Sequence, residues 1–381
     1  MAQTEATPGT MTVSTSAAER QKQLIYTLSR VWAWAFLLGL IIFFTFAVLG
    51  TTDGRVKFYS IRNTQSILVA ITPVLLMGLG QTFVIITAGI DLSVGWVMGL
   101  SSVVSAIIVR DLAADGMDVT LAILISIVAG IVAAAIVGLI NGLIIARLKV
   151  PSFIVTLGMS FIARGAAFLI GGGMTIGGLP PELRNLGNES LLYLVRAGEH
   201  SGLYFFKAPE LSRADLRSLD RIFTWPVIIT AVIVVVAIFV LRKTQFGRHT
   251  YAIGGNREAA LRAGVPVDRH TVMIYIMSAT TAGVAGVLHT ARFSGGSAVA
   301  GDPLLLGSIA AVIIGGVSLF GGSGTVTGTI IGALIIAVLQ TGLVMLNVDP
   351  FWQFVVVGIV VILAVLIDQS RDLIFGRAEA A

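Results

Sequence analysis

Arg242–Arg269 reads RKTQFGRHTYAIGGNREAALRAGVPVDR, with six basic residues (Arg242, Lys243, Arg248, Arg257, Arg262, Arg269) against two acids, Glu258 and Asp268. It stands between two apolar runs, Trp225–Leu241 and Thr271–Thr290, in a 381-residue chain that is 56% hydrophobic and 12% charged. Several such runs approach or reach the roughly 20 residues that a helix needs to cross a bilayer, and mean hydropathy is +0.94. The chain therefore reads as an all-α polytopic membrane protein, with this polar stretch joining two of its spans. Within the stretch, Asn256 is placed to N-cap a short helix with Glu258 in its first turn, and Gly264 and Pro266 end it. Two readings fit: a helix lying along the membrane face, or an ordinary basic loop of the kind that orientation rules expect. Ala259 and Ala260 are small, which leaves room for a partner surface to come close.

Outward from this segment the apolar runs predict about ten transmembrane helices, some of them broken. They are Val31–Gly50, Thr64–Thr87, a third from beyond Gly95 to about Val109, Val119–Ala146, Pro151–Ile170, Trp225–Leu241, Thr271–Thr290, Leu304–Phe320, Val326–Leu346 and Phe351–Ile367. Residues 1–30 are Thr-, Ser- and Ala-rich and predict a disordered tail. Residues 31–370 make up the membrane domain, and 371–381 a short charged tail. The first run comes too late and runs too long for a secretory signal, so it predicts an uncleaved span. Pro73 should kink the second span and free a backbone carbonyl. Pro151 opens the fifth, where a helix tolerates proline. The longest connection, residues 171–224, is balanced in charge. It carries Pro180-Pro181, then Leu203-Tyr204-Phe205-Phe206, then an amphipathic helical pattern at Ser212–Ile222.

Composition excludes several classes. There are no cysteines, hence no disulfides and no thiolate metal site, and the four histidines lack ligand-like spacing; neither a metal nor a cofactor is expected. The net charge of +5 is confined to loops, which fits orientation in a lipid bilayer better than nucleic-acid binding. No lysine follows a glycine, so the Gly-x-x-x-x-Gly-Lys phosphate loop is absent and the chain does not hydrolyse ATP in that way. The 43 glycines suit close helix approach, and Gly324, Gly328 and Gly332 share one helix face.

A second polar element is Gly89-Ile90-Asp91-Leu92-Ser93-Val94-Gly95. A carboxylate at mid-membrane costs about 2.5–3.5 kcal/mol, so Asp91 wants a reason. It is placed either to cap the third span through the amides of Ser93 and Val94, or to line a polar path at a broken helix flanked by Gly89 and Gly95. Arg164 is the one basic residue inside a span. It has three options: to snorkel, to pair with a carbonyl or to face a polar path.

Gly247-Arg248-His249-Thr250-Tyr251-Ala252-Ile253-Gly254-Gly255-Asn256, with Glu258-Ala259-Ala260 and Ala263-Gly264-Val265 beyond it, resembles the cytoplasmic coupling segment of ABC importer permeases of the ribose/xylose/simple-sugar type. The Gly89–Gly95 string, Asn141-Gly142-Leu143, Val150-Pro151-Ser152-Phe153-Ile154-Val155-Thr156-Leu157-Gly158 and Ile309–Gly316 resemble that family too, so the likeness covers about Asn63–Arg371. It implies a bacterial inner-membrane subunit with both termini cytoplasmic, a short cytoplasmic coupling helix within residues 242–270, and residues 171–224 periplasmic. It implies that Gly247, Tyr251, Gly254, Gly255, Asn256, Glu258, Ala259, Ala260 and Gly264 meet cytoplasmic ABC ATPase subunits. Further partners would be a periplasmic sugar-binding protein and a second permease copy or homologue. Gly89, Asp91, Ser93, Gly95, Asn141 and Arg164 are then the candidates for the translocation path. One departure is that Gly301–Ser308, where family members often carry several acids, holds only Asp302. The rival reading is an ion-coupled secondary transporter, needing no ATPase, with Asp91 as its titratable carboxylate.

Overall fold

A computed structural model describes residues 17–51, 57–196, 201–211, 218–349, 351–360, 362–363 and 366. The helices are α1 (Ala17–Thr51), α2 (Ile61–Ile86), α3 (Val94–Ala114), α4 (Val119–Arg147), α5 (Ser152–Gly171), α6 (Pro181–Asn188), α7 (Trp225–Lys243), α8 (Gln245–Gly255), α9 (Arg257–Arg262), α10 (Val267–Phe293), α11 (Asp302–Ile314), α12 (Val326–Met345) and α13 (Phe351–Val360). Each of the ten expected apolar runs holds a helix. Helix reaches back to Ala17, into the stretch read as a tail; residues 1–16 and 371–381 lie outside the described residues.

Among the described residues eight helices are long and apolar enough to cross a membrane. The two exceptions are α11 and α13. At 13 residues and ~1.5 Å per residue, α11 is only about 20 Å long, short of a ~30 Å hydrocarbon core. The continuous span expected at Leu304–Phe320 is therefore corrected. Helix stops at Ile314, where Gly316 turns left-handed at φ +81°. Before it, the chain passes down the side of α3 in a series of turns: Gly296 packs on Ser102 and Ala106, Ala298 on Gly99 and Gly301 on Gly95.

Helix α2 is the hub. It is almost wholly buried and packs against α7, α10, α11 and α12, with Leu79, Phe83 and Ile86 in one cluster with Ile274, Val312 and Ile335. Its Pro73 cannot donate to the Val69 carbonyl, and Thr72 Oγ1 takes that acceptor at 2.9 Å. The most extensive contact joins α4 and α10; a side chain at Gly138 or Gly142 would strike the α10 backbone at Tyr275 or Val272. Gly328 and Gly332 do the same work for α12 against Gly315 and Ala311, whereas Gly324 lies outside the helix.

The long connection is not all helical. After α6 it forms β1 (Ser190–Val195), β2 (Gly202–Phe205) and β3 (Leu219–Thr224), an antiparallel sheet in the order β2-β1-β3. The helical pattern expected at Ser212–Ile222 is overturned where it is described. Leu219–Ile222 pairs with β1, because alternation in LDRIFT buries Asp220 and Thr224 on one face. Buried Asp220 meets Arg62 at 3.7 Å and also Arg196, which fastens the sheet to the start of α2.

Helix α10 begins against α8 and α9 and ends against α6. Its 27 residues separate the polar segment from the sheet by about 40 Å. Single cysteines at exposed Glu189 and Arg257 in this cysteine-free chain should label from opposite membrane faces with an impermeant maleimide. Labelling of both from one face would overturn the topology.

Candidate functional site

The Gly89–Gly95 string folds into the bundle rather than onto its surface. Asp91 is fully buried. Its Oδ1 accepts from the Ser93 amide at 3.0 Å and from Ser93 Oγ at 2.6 Å, and its Oδ2 accepts from Ser278 Oγ of α10 at 2.8 Å. Asn141 Nδ2 of α4 donates to Ser93 Oγ at 3.0 Å, and Gln81 Nε2 of α2 donates to the Asp91 carbonyl. Asp91, Ser93 and Asn141 thus come together, with Gln81 and Ser278 added. The capping expectation needs correction. Helix α3 starts one residue after Ser93, whose own side chain makes no cap, and Asp91 accepts from Ser93 but not from Val94. Its carboxylate organises the turn before the helix and ties that turn to α10. Gly89 and Gly95 permit close approach, to Tyr275 and Gly301 respectively.

Arg164 stands apart from this group. It is exposed on the outer face of α5, with its guanidinium 4.7 Å above the Trp96 ring and 5.9 Å from that of Phe168.

The polar segment forms two short helices, not one. Thr244 caps α8 and Asn256 caps α9, its side chain accepting from Ala259 N at 2.9 Å, and Gly264 closes α9 at φ +82°. The residues expected to meet a partner divide. Gly247 and Gly254 lie hard against the Leu241 and Ile86 backbones, and Tyr251 Oη donates to the Gly324 carbonyl at 2.7 Å. Burial pushes the Tyr251 phenol above its ordinary pKa, against the pull of the Arg242 charge, which keeps it a donor. Ala260 faces inward, packed with Ile253 and Val267, so the idea that a partner approaches it directly is corrected. Gly255, Asn256, Glu258, Ala259 and Gly264 are exposed, together with Leu261 at 63% and Arg262. Leu261 is thus an apolar side chain exposed among charges at the tip of α9, and sequence reading did not single it out. Beside the tip a 430 Å³ cavity lies between Ala88, Pro151 and Asn256, and Asp268 bridges Lys149 at 2.5 Å and Arg257 at 3.4 Å.

Asp91→Asn should keep a folded chain, because an amide oxygen still accepts from the Ser93 amide and its NH₂ donates to Ser278 Oγ. Asp91→Leu strands the Ser93 amide and two hydroxyls, at about 1–3 kcal/mol for each buried unsatisfied group. Size-exclusion recovery after graded heating in detergent should fall for Leu and hold near wild type for Asn. Equal losses would sink the structural role of this carboxylate.

Residues 63–365 match the family model described as branched-chain amino acid transport system / permease component. The chain is 35% identical to the xylose transport system permease protein of Haemophilus influenzae, over 84% of this chain and 92% of that protein. It is 40% identical to the ribose import permease protein of Bacillus subtilis, over 78% and 81%. With the fructose import permease protein of Rhizobium meliloti it shares 36% identity, over 82% and 79%. No solved structure gives a significant match. A multi-pass bundle with a folded polar segment at one end, and a family match that spans nearly all of it, establish that the chain belongs to the branched-chain amino acid transport system / permease component family.

Proposed function

We propose that this chain is the membrane-spanning permease subunit of an ATP-driven importer for a sugar, a pentose, hexose or related polyol, working by alternating access. The observation that carries the reading is the docking tip: α9 is anchored by Ala260 and presents Glu258, Ala259, Leu261 and Arg262 outward. Those residues suit a groove on a cytoplasmic ATPase, which would hydrolyse the ATP. Relatives named as ribose, xylose and fructose permeases supply the substrate class. Ten crossings follow if α11, with the non-helical stretch before it, and α13 each complete one. Both termini would then be cytoplasmic in a bacterial inner membrane, with the sheet on the periplasmic side where a sugar-binding protein docks. Arg164, halfway along α5 and facing out of the bundle, supports a second permease copy there rather than lipid.

Leu261→Glu and Ala259→Arg should each cut co-purification of the cognate ATPase at least tenfold at matched expression, about 1.4 kcal/mol, with uptake lost in parallel. Ala260→Arg should instead lower recovery of the chain itself. Normal ATPase binding by both tip variants would refute the docking assignment, and uptake without any ATPase would restore the ion-coupled alternative.

A further inference from the structure

Two breaks in the bundle's backbone meet at one cavity. Pro73 interrupts the hydrogen bonding of α2, and a non-helical run of turns precedes α11; between them lies a 320 Å³ cavity lined by Thr72, Pro73, His289, Arg292, Pro303 and Gln340. It sits toward the sheet end of α10, far from the Asp91 group. His289 Nδ1 is buried there without a hydrogen-bond partner. Arg292 meets no carboxylate among the described residues, and its guanidinium lies 5.6 Å from the Phe293 ring. Gln340 offers both a donor and an acceptor. Among the described residues, no hydrogen bond or ion pair engages these side-chain groups. A buried orphan nitrogen is unfavourable, and a ligand able to bond it would offset that cost.

We infer that this cavity is a subsite for a polyhydroxylated solute inside a single permease chain, with His289, Arg292 and Gln340 as its hydrogen-bonding residues. The volume falls in the range of small-molecule sites. Hydroxyl groups both donate and accept, which matches an imidazole nitrogen, a guanidinium and an amide side by side. The inference rests on the importer reading and adds to it the residues that select the solute.

The test uses the whole transporter, this chain with its ATPase and binding protein, in proteoliposomes supplied with radiolabelled D-ribose, D-xylose or D-fructose. His289→Ala and Gln340→Leu should lower the saturated uptake rate at least tenfold and change the ranking of the three sugars, with ATPase co-purification unchanged. Ala70→Trp narrows the same cavity from an exposed position that does not crowd the core, and it should also slow uptake at least tenfold. Wild-type rates and ranking in all three variants would overturn the subsite while leaving the importer reading intact. Loss of co-purifying phospholipid with sugar uptake unchanged would overturn it in favour of a lipid site. Failure of the wild type to import any of the three sugars would bring down the sugar reading and the subsite together.

Discussion

A backbone amide or carbonyl inside a bilayer has no water to turn to, so any departure from helix must be sealed by neighbouring side chains. This chain departs from helix at several depths and closes each gap with a hydroxyl, an amide or a second strand of backbone. Thr72 takes the carbonyl that Pro73 releases. In the Gly89–Gly95 turn, the Ile90 amide donates to Ser152 Oγ at 3.3 Å, and the Ile90 carbonyl accepts from Thr156 Oγ1 at 3.2 Å. In the non-helical stretch beside α3, Gly296 exchanges both backbone bonds with Ile176, and the Ser297 amide donates to Ser102 Oγ at 3.1 Å. The Ser and Thr residues scattered through apolar spans are thus the counterparts of these breaks.

The same requirement links the breaks to the polar segment. The Ile86 carbonyl, at the end of α2, accepts from the Gly322 amide at 2.8 Å, and Gly254 of α8 packs on both. Tyr251 holds Gly324 in the same loop. Helix α8 therefore rests on the turn that leads into α3 and on the turn that joins α11 to α12. A force applied at α9 passes through α8 to both turns with no flexible linker between. For the ATPase partner proposed above, that arrangement would couple the tip of α9 to the turns on which α8 rests.

Much of this was legible from residue order. Long apolar runs gave the helices, Asn256 and Gly264 gave the ends of α9, and the Gly89–Gly95 string marked a polar break. What remained hidden depends on depth and direction. A 13-residue helix that runs on into apolar turns at 315–320 has the hydropathy of a full span, so α11 reads as one. Ala259 and Ala260 are chemically alike, and only packing against Ile253 and Val267 shows which faces in. Sequence reading singled out neither Gln81 nor Ser278, and the role of Ser278 comes from a neighbour 187 residues away. Strand β3 was read as helix because six residues of alternation fit both periods until β1 supplies a partner.

Asp91 shows how such a network changes the meaning of a charge. An ionisable group within a membrane domain is by default a pathway or coupling residue, since its burial costs about 2.5–3.5 kcal/mol even on insertion scales. Here three donors converge on the carboxylate. Hydrogen bonds to a buried charged group are each favourable, so they offset part of that cost. The group joins the α2–α3 turn to α10 directly, and to α4 through Ser93 and Asn141. A carboxylate engaged on both oxygens and shut away from solvent is poorly placed to bind and release a coupling ion at each cycle. It is well placed to fix the start of α3 at the depth where Gly95 meets Gly301. In the importer proposed above, the energy for transport would then enter elsewhere, at the exposed tip of α9.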